Sequence, residues 1–243
     1  VNFSPHNVRE GFHALYSLVA YRDSAKAREM AEASIESIFE YWDPEQDWKS
    51  EELRRKYGII VYEEQSFIVG LARAIGPLVK YFRTTGYGPA LELALVLKDK
   101  VINGWFAADG QYDIDIFGTH THSATCVMSG LAQLADLTSD APLMARVKAF
   151  YDNGLWAMRD ELGWVIESNV ADSSPDRGEV NNTGDIVETA LILGRWGYAG
   201  CYQDTERILR GHLLPSQLRD VSFIEDPPNP NNEDGLRDVA NRH

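Results

Sequence analysis

An internal repeat of helical hairpins is the feature that most constrains how this chain folds. Four segments of the 243-residue sequence share one form: an apolar-periodic helix, a short polar turn and a second helix. Their turns fall near Asp23, Gly86, Ser139 and Ala199, a spacing of roughly 50–60 residues that exceeds the common helical solenoid repeats. Because each hairpin must bury its apolar face against its neighbours, the repeat predicts an all-α protein.

Local patterns support these helices. One stretch carries apolar or small residues at the i, i+3, i+4, i+7 positions of a single helix face: Val69, Ala72, Ile75, Gly76 and Val79. Ser139 or Asp140 is placed to cap the next helix, with Pro142 near its first turn. We therefore expect four hairpins with short turns.

The connections between hairpins are long, at residues 43–61, 107–119 and 163–183. Long connections in a compact helical protein often carry function. In the second one, the alternation of Tyr112, Ile114 and Ile116 predicts a short strand. We expect one domain over residues 1–243, with an irregular tail at 226–243, and Val1 in place of an initiator Met favours a piece of a longer protein.

Composition narrows the function classes. The formal net charge of -14 makes nucleic acid an improbable partner, because such a chain repels phosphate backbones. No apolar run reaches the length of a membrane span, so a membrane partner is not expected. The two cysteines, Cys126 and Cys201, form no CxxC motif, and Cys126 is predicted to lie in the core. Localisation stays undecided between cytoplasm and secretion.

The densest polar segment spans residues 167–188 and leads into a helix. Carboxylates and amides at such a junction suit a sugar, and glycoside hydrolysis commonly needs two carboxylic groups across the scissile bond. Glu179 and Asp185 are the first catalytic pair, and Trp164 is the best candidate for stacking on a sugar ring. Helix capping is the alternative role for Asn182 and Asp185. The remaining candidate substrate-binding residues here are Glu167, Arg177, Asn181 and Asn182.

Two further groups are candidates. His120 and His122 begin a predicted helix, and acid–base work by His122 or substrate contact by His120 is weighed against ordinary structural histidines. Zinc would need further ligands that no Cys or His cluster in the sequence supplies, so neither a metal nor another cofactor is expected. Asp113 and Asp115 would share one face of the predicted strand, either as a substrate site or as a solvated edge.

These residues resemble a known family. The stretch Thr119–Leu218 is similar to the helical catalytic domain of the β-L-arabinofuranosidase-type glycoside hydrolases and of uncharacterised six-hairpin relatives. The similarity is carried by HTHSATCVMSGLAQLADLTSD, GEVNNTGDIVETALILGRWG and CYQDTERILRGHLLPSQL. The earlier segment YEEQSFIVGLARAIGPLVKYFRTTGYGPALELA also looks like a hairpin of that superfamily.

The resemblance implies an (α/α)6 toroid of six hairpins, of which about four are present here. In that family a Glu-x-Cys segment carries the nucleophilic cysteine beside a zinc site. The matching residues are Glu179, Val180 and Asn181, so asparagine stands where the cysteine is expected, and the further cysteines are missing. The resemblance therefore implies the location of the site but not cysteine catalysis or zinc.

The sequence thus predicts a carbohydrate-active enzyme, a glycoside hydrolase acting on a plant or microbial polysaccharide or oligosaccharide. Two alternatives stay open. One is a non-catalytic, solenoid-like scaffold that binds protein or glycan. The other is a polysaccharide lyase, which an acidic protein suits less well because its substrate is an anionic uronate.

Overall fold

A computed structural model describes residues 2–62, 67–169, 178–220 and 222. Within them the chain is predominantly helical, which confirms the predicted all-α class. The α-helices are α1 (Val8–Arg22), α2 (Ala25–Tyr41), α3 (Ser50–Tyr57), α4 (Ile75–Thr85), α5 (Gly88–Gly104), α6 (Ile114–Phe117), α7 (Thr121–Thr138), α8 (Ala141–Asp152), α9 (Val180–Arg195) and α10 (Gly200–Ile208). Short 3-10 segments cover Pro5–Asn7, Leu71–Ala74 and Gly154–Ala157, and a π-helical turn, Leu209–Leu213, follows α10.

The four predicted hairpins are confirmed as α1–α2, α4–α5, α7–α8 and α9–α10. Left-handed residues end the first helix of three hairpins: Asp23 (φ 47°), Gly86 (φ 71°) and Ser139 (φ 55°). In the fourth turn Gly197 has a φ of 98°. A left-handed residue after a helix lets the chain reverse while closing the last backbone hydrogen bonds.

Side-chain caps set where two of the second helices begin. The Ser24 hydroxyl accepts a hydrogen bond from the Ala27 backbone N–H at the start of α2, at 3.2 Å. The Asp140 carboxylate accepts from the Leu143 N–H at the start of α8, at 2.9 Å, and Pro142 lies in that first turn. These caps satisfy amide groups that have no partner inside the helix.

Strands are few and short among the described residues. β1 (Asn2–Phe3) pairs in parallel with β4 (Ile60–Val61), while β2 (Trp42–Asp43) pairs with β3 (Asp47–Trp48) in an antiparallel hairpin. These pairs flank α3, and each places one buried side chain, Trp42 of β2 and Val61 of β4, in a hydrophobic cluster.

The strand predicted within residues 110–118 is wrong, because this segment forms the single turn α6. The Asp113 carboxylate caps that turn by accepting the Asp115 N–H at 2.9 Å, so the two side chains do not share a strand face. The turn brings Phe117 inward against Phe150, with ring centroids 5.4 Å apart. Burial of this ring, rather than the alternation, decides the local structure.

The first helices of the four hairpins pack side by side in chain order: α1 on α4, α4 on α7, and α7 on α9. Each second helix packs on its own partner, and α2 also packs on α5. An ion pair also joins α1 to α9, because Arg9 Nη2 of α1 lies 3.3 Å from Asp185 Oδ1 of α9. The N-terminal ends of α1, α7 and α9 therefore meet at one place.

Helix α7 is the centre of the fold, and every residue from Thr121 to Ala135 is buried. Its apolar side chains belong to the main hydrophobic core, which also contains the fully buried rings of Tyr81, Phe106 and Phe150. Among the helices that the structure describes, none has the length and apolarity needed to cross a bilayer.

Two glycines let α4 and α7 approach closely. A Cβ atom added at Gly130 of α7 would lie 2.9 Å from the backbone nitrogen of Gly76 and 3.2 Å from the Ile75 Cβ. Real Cβ atoms essentially never come so close to backbone, and two packed helices cannot separate locally without opening voids.

We expect Gly130→Ala to lower the free energy of unfolding by about 1–3 kcal/mol, because the added methyl group overpacks this contact. Gly11→Ala is the matched control: in α1, a Cβ at Gly11 would meet no atom within 4 Å. That change should stabilise by about 0.5–1 kcal/mol through backbone entropy. Urea unfolding measures both, and equal stabilities of the two variants would contradict the close packing.

One carboxylate joins the C-terminal ends of three first helices, α4, α7 and α9. Asp136 of α7 accepts from Arg83 of α4 at 2.8 Å and from Arg195 of α9 at 2.7 Å. The Trp196 indole N–H donates to its other oxygen at 3.0 Å. The row is therefore anchored by polar contacts at this end as well as at the end where α1 meets α9.

A second buried cluster joins the Gly154–Ala157 region to α10. Asp204 accepts hydrogen bonds from Arg159, at 2.9 Å, and from the hydroxyl of Tyr151. The Arg159 side chain is 1% exposed and stacks on Trp156, with its guanidinium 4.2 Å from the ring centroid. Burial tends to raise the pKa of Asp204, but the Tyr151 hydrogen bond and the Arg159 charge outweigh it and lower that pKa.

Candidate functional site

A cluster of polar side chains lies where the N-terminal ends of α1, α7 and α9 meet. His122 stands in the first turn of α7, and Glu179 immediately precedes α9. Asp185 lies further along α9, and Arg73 comes from the 3-10 segment before α4. Three separate parts of the chain thus supply these four residues, which we call the His122 cluster.

His122 is the hub of this cluster and is only 3% exposed. Its Nδ1 lies 3.3 Å from Glu179 Oε1 and 3.4 Å from Arg73 Nη2. Its Nε2 lies 3.2 Å from Asp185 Oδ2, yet the alignment is not that of a hydrogen bond, and this nitrogen has no partner among the described residues. The imidazole therefore lies between two carboxylates, with one nitrogen left unsatisfied.

Two arginines balance the acidic groups. Arg9 Nη2 contacts Asp185 Oδ1 at 3.3 Å, and Arg73 Nη2 contacts Glu10 Oε1 at 3.0 Å. The Arg73 side chain is 1% exposed, whereas that of Glu10 is 48% exposed. Burial tends to raise the pKa of Glu10, but the charges of Arg73 and Arg9 outweigh it and lower that pKa. Glu10 is thus an ionised carboxylate at the accessible side of the cluster.

Buried hydroxyl and amide groups form a hydrogen-bond network next to the cluster. Thr125 donates to the Asn182 carboxamide oxygen at 2.6 Å and lies 3.4 Å from Asp185 Oδ2. The Asn182 amide nitrogen donates to Thr121 at 3.4 Å, and Asn182 is fully buried. Asn182 therefore joins α9 to α7 rather than facing solvent.

The polar contacts continue down the α7–α9 interface. Glu188 accepts from Ser129 at 2.9 Å and from Gln133 at 3.2 Å, and it pairs with Lys80 of α4 at 3.0 Å. Since buried polar groups need partners, this seam requires α4, α7 and α9 to keep one register.

Two more histidines lie beside His122. The ring of His120 is 5.2 Å from that of His6 and 6.1 Å from that of His122. Burial, followed by the positive charge of Arg73, lowers the pKa of His120 to about 4 and also lowers the pKa of His6. Both rings are neutral at pH 7, so each has one nitrogen that donates and one that accepts.

Cys126 approaches the same cluster from one turn further along α7. It is buried, as predicted, and its thiol donates weakly to the Ser123 carbonyl at 3.4 Å. Burial, reinforced by the negative charge of Asp185, raises the pKa of Cys126 to about 12. The free side chain is therefore a thiol, not a thiolate nucleophile.

The structure brings some of the predicted residues together and leaves others apart. Glu179, Asp185, His122, His120 and Asn182 lie in or beside the His122 cluster. Asn181 is at its edge, where the exposed amide donates to Glu179 Oε1 at 3.3 Å.

The other predicted residues lie outside the cluster. Asp113 and Asp115 are exposed at α6, whereas Glu167 lies beside the cluster: its side chain is exposed, but its carbonyl accepts a hydrogen bond from the Thr121 hydroxyl at 3.1 Å. Trp164 is half-buried and packs its indole edge on Gly178, where an added Cβ would come within 2.2 Å of Nε1. Arg177 lies outside the described residues.

Four residues at the site were not predicted from the sequence: Arg9, Glu10, Arg73 and Cys126. The first three belong to segments without a motif, and only packing brings them to α7. A usable signal did exist in α7 itself, where polar residues recur at helical spacing through a run that is otherwise apolar: His122, Thr125, Ser129, Gln133 and Asp136. A polar stripe of this kind on a buried helix indicates a polar interface inside the protein.

The well-formed cavities lined by described residues lie away from this cluster. One is an apolar groove of about 480 Å³ between α1 and α2, which includes Leu15 and Met30. Another, of about 450 Å³, opens beside Arg159 and Asp204. Neither gathers carboxylates, histidines and arginines as the His122 cluster does, so chemistry rather than cavity size identifies the candidate site.

The His122 cluster can orient hydroxyl groups, exchange protons and stabilise charge. Its accessible acids are Glu10 and Glu179, and its buried groups position them. A scan against protein-family models and a search of curated proteins returned no match for this chain.

Proposed function

We propose that this chain is the helical part of a glycoside hydrolase acting on a plant or microbial polysaccharide or oligosaccharide. One observation carries the proposal: Glu179 and Asp185 both lie within 3.3 Å of the same imidazole, where three helix ends meet. Glycosidases typically gather carboxylic groups in one site. In this proposal the four hairpins belong to the wall of an (α/α)6 toroid.

Glu179 is the acid–base residue in this proposal. Its side chain is 23% exposed, so a substrate can approach it, and its Oε1 lies 3.3 Å from His122 Nδ1 and accepts a hydrogen bond from the Asn181 amide. Its second oxygen, Oε2, is buried and has no hydrogen-bond partner among the described residues. A water molecule that reached this oxygen would satisfy it, whereas a glycosidic oxygen would have to meet the accessible part of the side chain, since proton transfer needs a direct contact.

Glu10 is the second carboxylate in contact with substrate. Arg73 and Arg9 keep it ionised, as a base or nucleophile must be. Asp185, by contrast, is nearly buried and contacts Arg9 and the imidazole. We assign Asp185 and His122 as positioning residues that fix Glu179 rather than as groups that touch the sugar.

Substrate hydroxyl groups would meet neutral donors and acceptors. His120 and Asn181 flank Glu179, and the half-buried Trp164 lies on the segment that leads to it. Neutral hydrogen-bonding groups beside aromatic rings suit sugars, which present hydroxyl edges and apolar faces.

The test is turnover by the full chain on a panel of aryl glycosides, both furanosides and pyranosides of each anomer, together with plant and microbial polysaccharides. Release of the aryl alcohol or of reducing ends is measured for wild type, Glu10→Gln and Glu167→Gln. We expect at least one substrate to be hydrolysed. Glu10→Gln should lower kcat/KM by about 100-fold or more, while the exposed Glu167→Gln serves as the matched control and should match wild type.

Equal activity of Glu10→Gln and wild type would remove Glu10 from the mechanism. Glycan binding without hydrolysis of any substrate would reject the hydrolase proposal and favour a binding scaffold. Products with an unsaturated uronate end, detected by their ultraviolet absorption, would identify a lyase instead.

A further inference from the structure

We propose that His122, Cys126 and Asp185 bind a divalent transition-metal ion of the zinc class between α7 and α9. This inference goes beyond the hydrolase proposal and does not depend on it, since metal binding is measured without turnover. It also departs from the sequence-based expectation of no metal, because the third ligand comes from a distant helix.

The ligand geometry is the first support. One ligand atom from each of these three side chains lies within 4.8 Å of the other two. His122 and Cys126 are four residues apart on α7, the spacing that places two side chains on one helix face. Tetrahedral zinc, with bonds of about 2.0–2.3 Å, places its ligand atoms roughly 3.3–3.8 Å apart. Side-chain rotations that shorten the longest of these separations by up to about 1–1.5 Å would complete such a site.

The unsatisfied nitrogen of His122 is the second, independent support. Nε2 is buried and has no hydrogen-bond partner among the described residues, although Asp185 Oδ2 lies 3.2 Å away. Buried polar atoms of this kind are rare in native proteins and call for an explanation. A cation between Nε2 and Oδ2 would give Nε2 the partner that it lacks.

The surrounding groups match those that support metal ligands elsewhere. A metal on Nε2 requires the hydrogen on Nδ1, which lies 3.3 Å from the Glu179 carboxylate and would then give up the hydrogen bond that it accepts from Arg73 Nη2 at 3.4 Å. This carboxylate–histidine–metal arrangement fixes the tautomer and orientation of the ring. Arg9 holds the other oxygen of Asp185, Oδ1, which leaves Oδ2 for the ion.

Charge and ligand chemistry favour zinc over magnesium or calcium. One sulfur, one nitrogen and one oxygen are ligands for a borderline ion, whereas magnesium and calcium prefer oxygen alone. A bound Cys126 would lose its proton to the solvent, and this thiolate and Asp185 would offset the two positive charges of the ion. Arg73 is already paired with Glu10, which limits its repulsion.

The experiment measures metal binding to the full chain directly. Protein stripped with a chelator is titrated with zinc and then with cobalt(II), an optical probe for the zinc site. We expect about one zinc per chain after dialysis, and a thiolate-to-cobalt charge-transfer band in the near ultraviolet. X-ray absorption on the zinc-loaded wild type should show one sulfur among nitrogen and oxygen neighbours.

Matched variants locate the site. Cys126→Ser should lose the charge-transfer band, while Cys201→Ser, which changes the other buried free cysteine, should keep it. Glu179→Gln, which keeps an oxygen near Nδ1 but removes the supporting negative charge, should weaken zinc binding by about 10- to 100-fold, as changes to such supporting groups do at other metal sites. Zinc should raise the Tm of wild type and Cys201→Ser but not that of Cys126→Ser.

Two results would overturn the proposal. One is wild-type protein that retains no stoichiometric zinc or shows no sulfur neighbour, a measurement that needs no variant to fold. The other is a Cys126→Ser protein, folded by circular dichroism, that keeps the cobalt band. Either result would leave the hydrolase assay unaffected, so the two proposals fail separately.

Discussion

Glu179→Gln is expected to lower kcat on the hydrolysed glycoside by about 100- to 10,000-fold, the range for loss of a general acid–base group. Glutamine has the shape of glutamate and still offers an oxygen to His122 Nδ1, now 3.3 Å from Glu179 Oε1. It cannot exchange a proton with the leaving oxygen or with water. Because this contact matters in the transition state, kcat and kcat/KM should fall together, with KM nearly unchanged.

Asn181→Ala is the neighbouring control for this effect. Asn181 is exposed and only donates to Glu179 at 3.3 Å, so its loss should cost no more than about tenfold. Steady-state kinetics on purified, folded variants distinguishes the two. If Glu179→Gln raised KM alone, Glu179 would be a binding residue and the acid–base assignment would be wrong.

Asp204→Ala is expected to lower the free energy of unfolding by about 3–5 kcal/mol, the usual cost of removing one partner of a buried ion pair. Arg159 would stay buried without its carboxylate, and the Tyr151 hydroxyl would lose its acceptor. The Arg159 Nε and Nη1 atoms already have no hydrogen-bond partner among the described residues, so no other contact of Arg159 compensates for the lost carboxylate. Urea unfolding at pH 7 measures the change.

Arg207→Gln is the control for Asp204→Ala, because it removes a cation that pairs with the same carboxylate from a half-exposed position. Exposed pairs contribute little, so a loss of about 1 kcal/mol or less is expected. Similar losses in both variants would show that the buried Arg159 contact is not the dominant interaction.

Acid should reduce the advantage of Asp204 over asparagine. The folded-state pKa of Asp204 lies below its ordinary value of 3.8, so the carboxylate stabilises the fold above that value. This contribution is lost as the pH falls through the lower folded-state pKa. The stability difference between wild type and Asp204→Asn should therefore be constant near neutrality and shrink in acid. A difference that grew on acidification would contradict the lowered pKa.

The polar stripe of α7 is a local sequence pattern that points to the site, and other local patterns predict parts of the fold. Hairpin turns at Asp23, Gly86 and Ser139 follow from local chemistry, since left-handed residues and helix caps act over a few neighbours. The first helix of the fourth hairpin was predictable from its apolar periodicity, although α9 begins at Val180, within the connection predicted at residues 163–183. The segment around Asp113 was not, because burial of Phe117 outweighs the alternation that favours a strand.

The sequence by itself determined the hairpins, the all-α class and the candidate status of Glu179, Asp185 and His122. These depend on periodicity and on polar residues next to helix starts, both of which are local. Only the tertiary structure decided that Arg9, Arg73 and Cys126 join them. Contacts between distant segments depend on how helices pack, and the approach of α1 to α9 appears in no local pattern. Packing also decided which acids are accessible: Glu10 lies at the surface, whereas Asp185 is held inside.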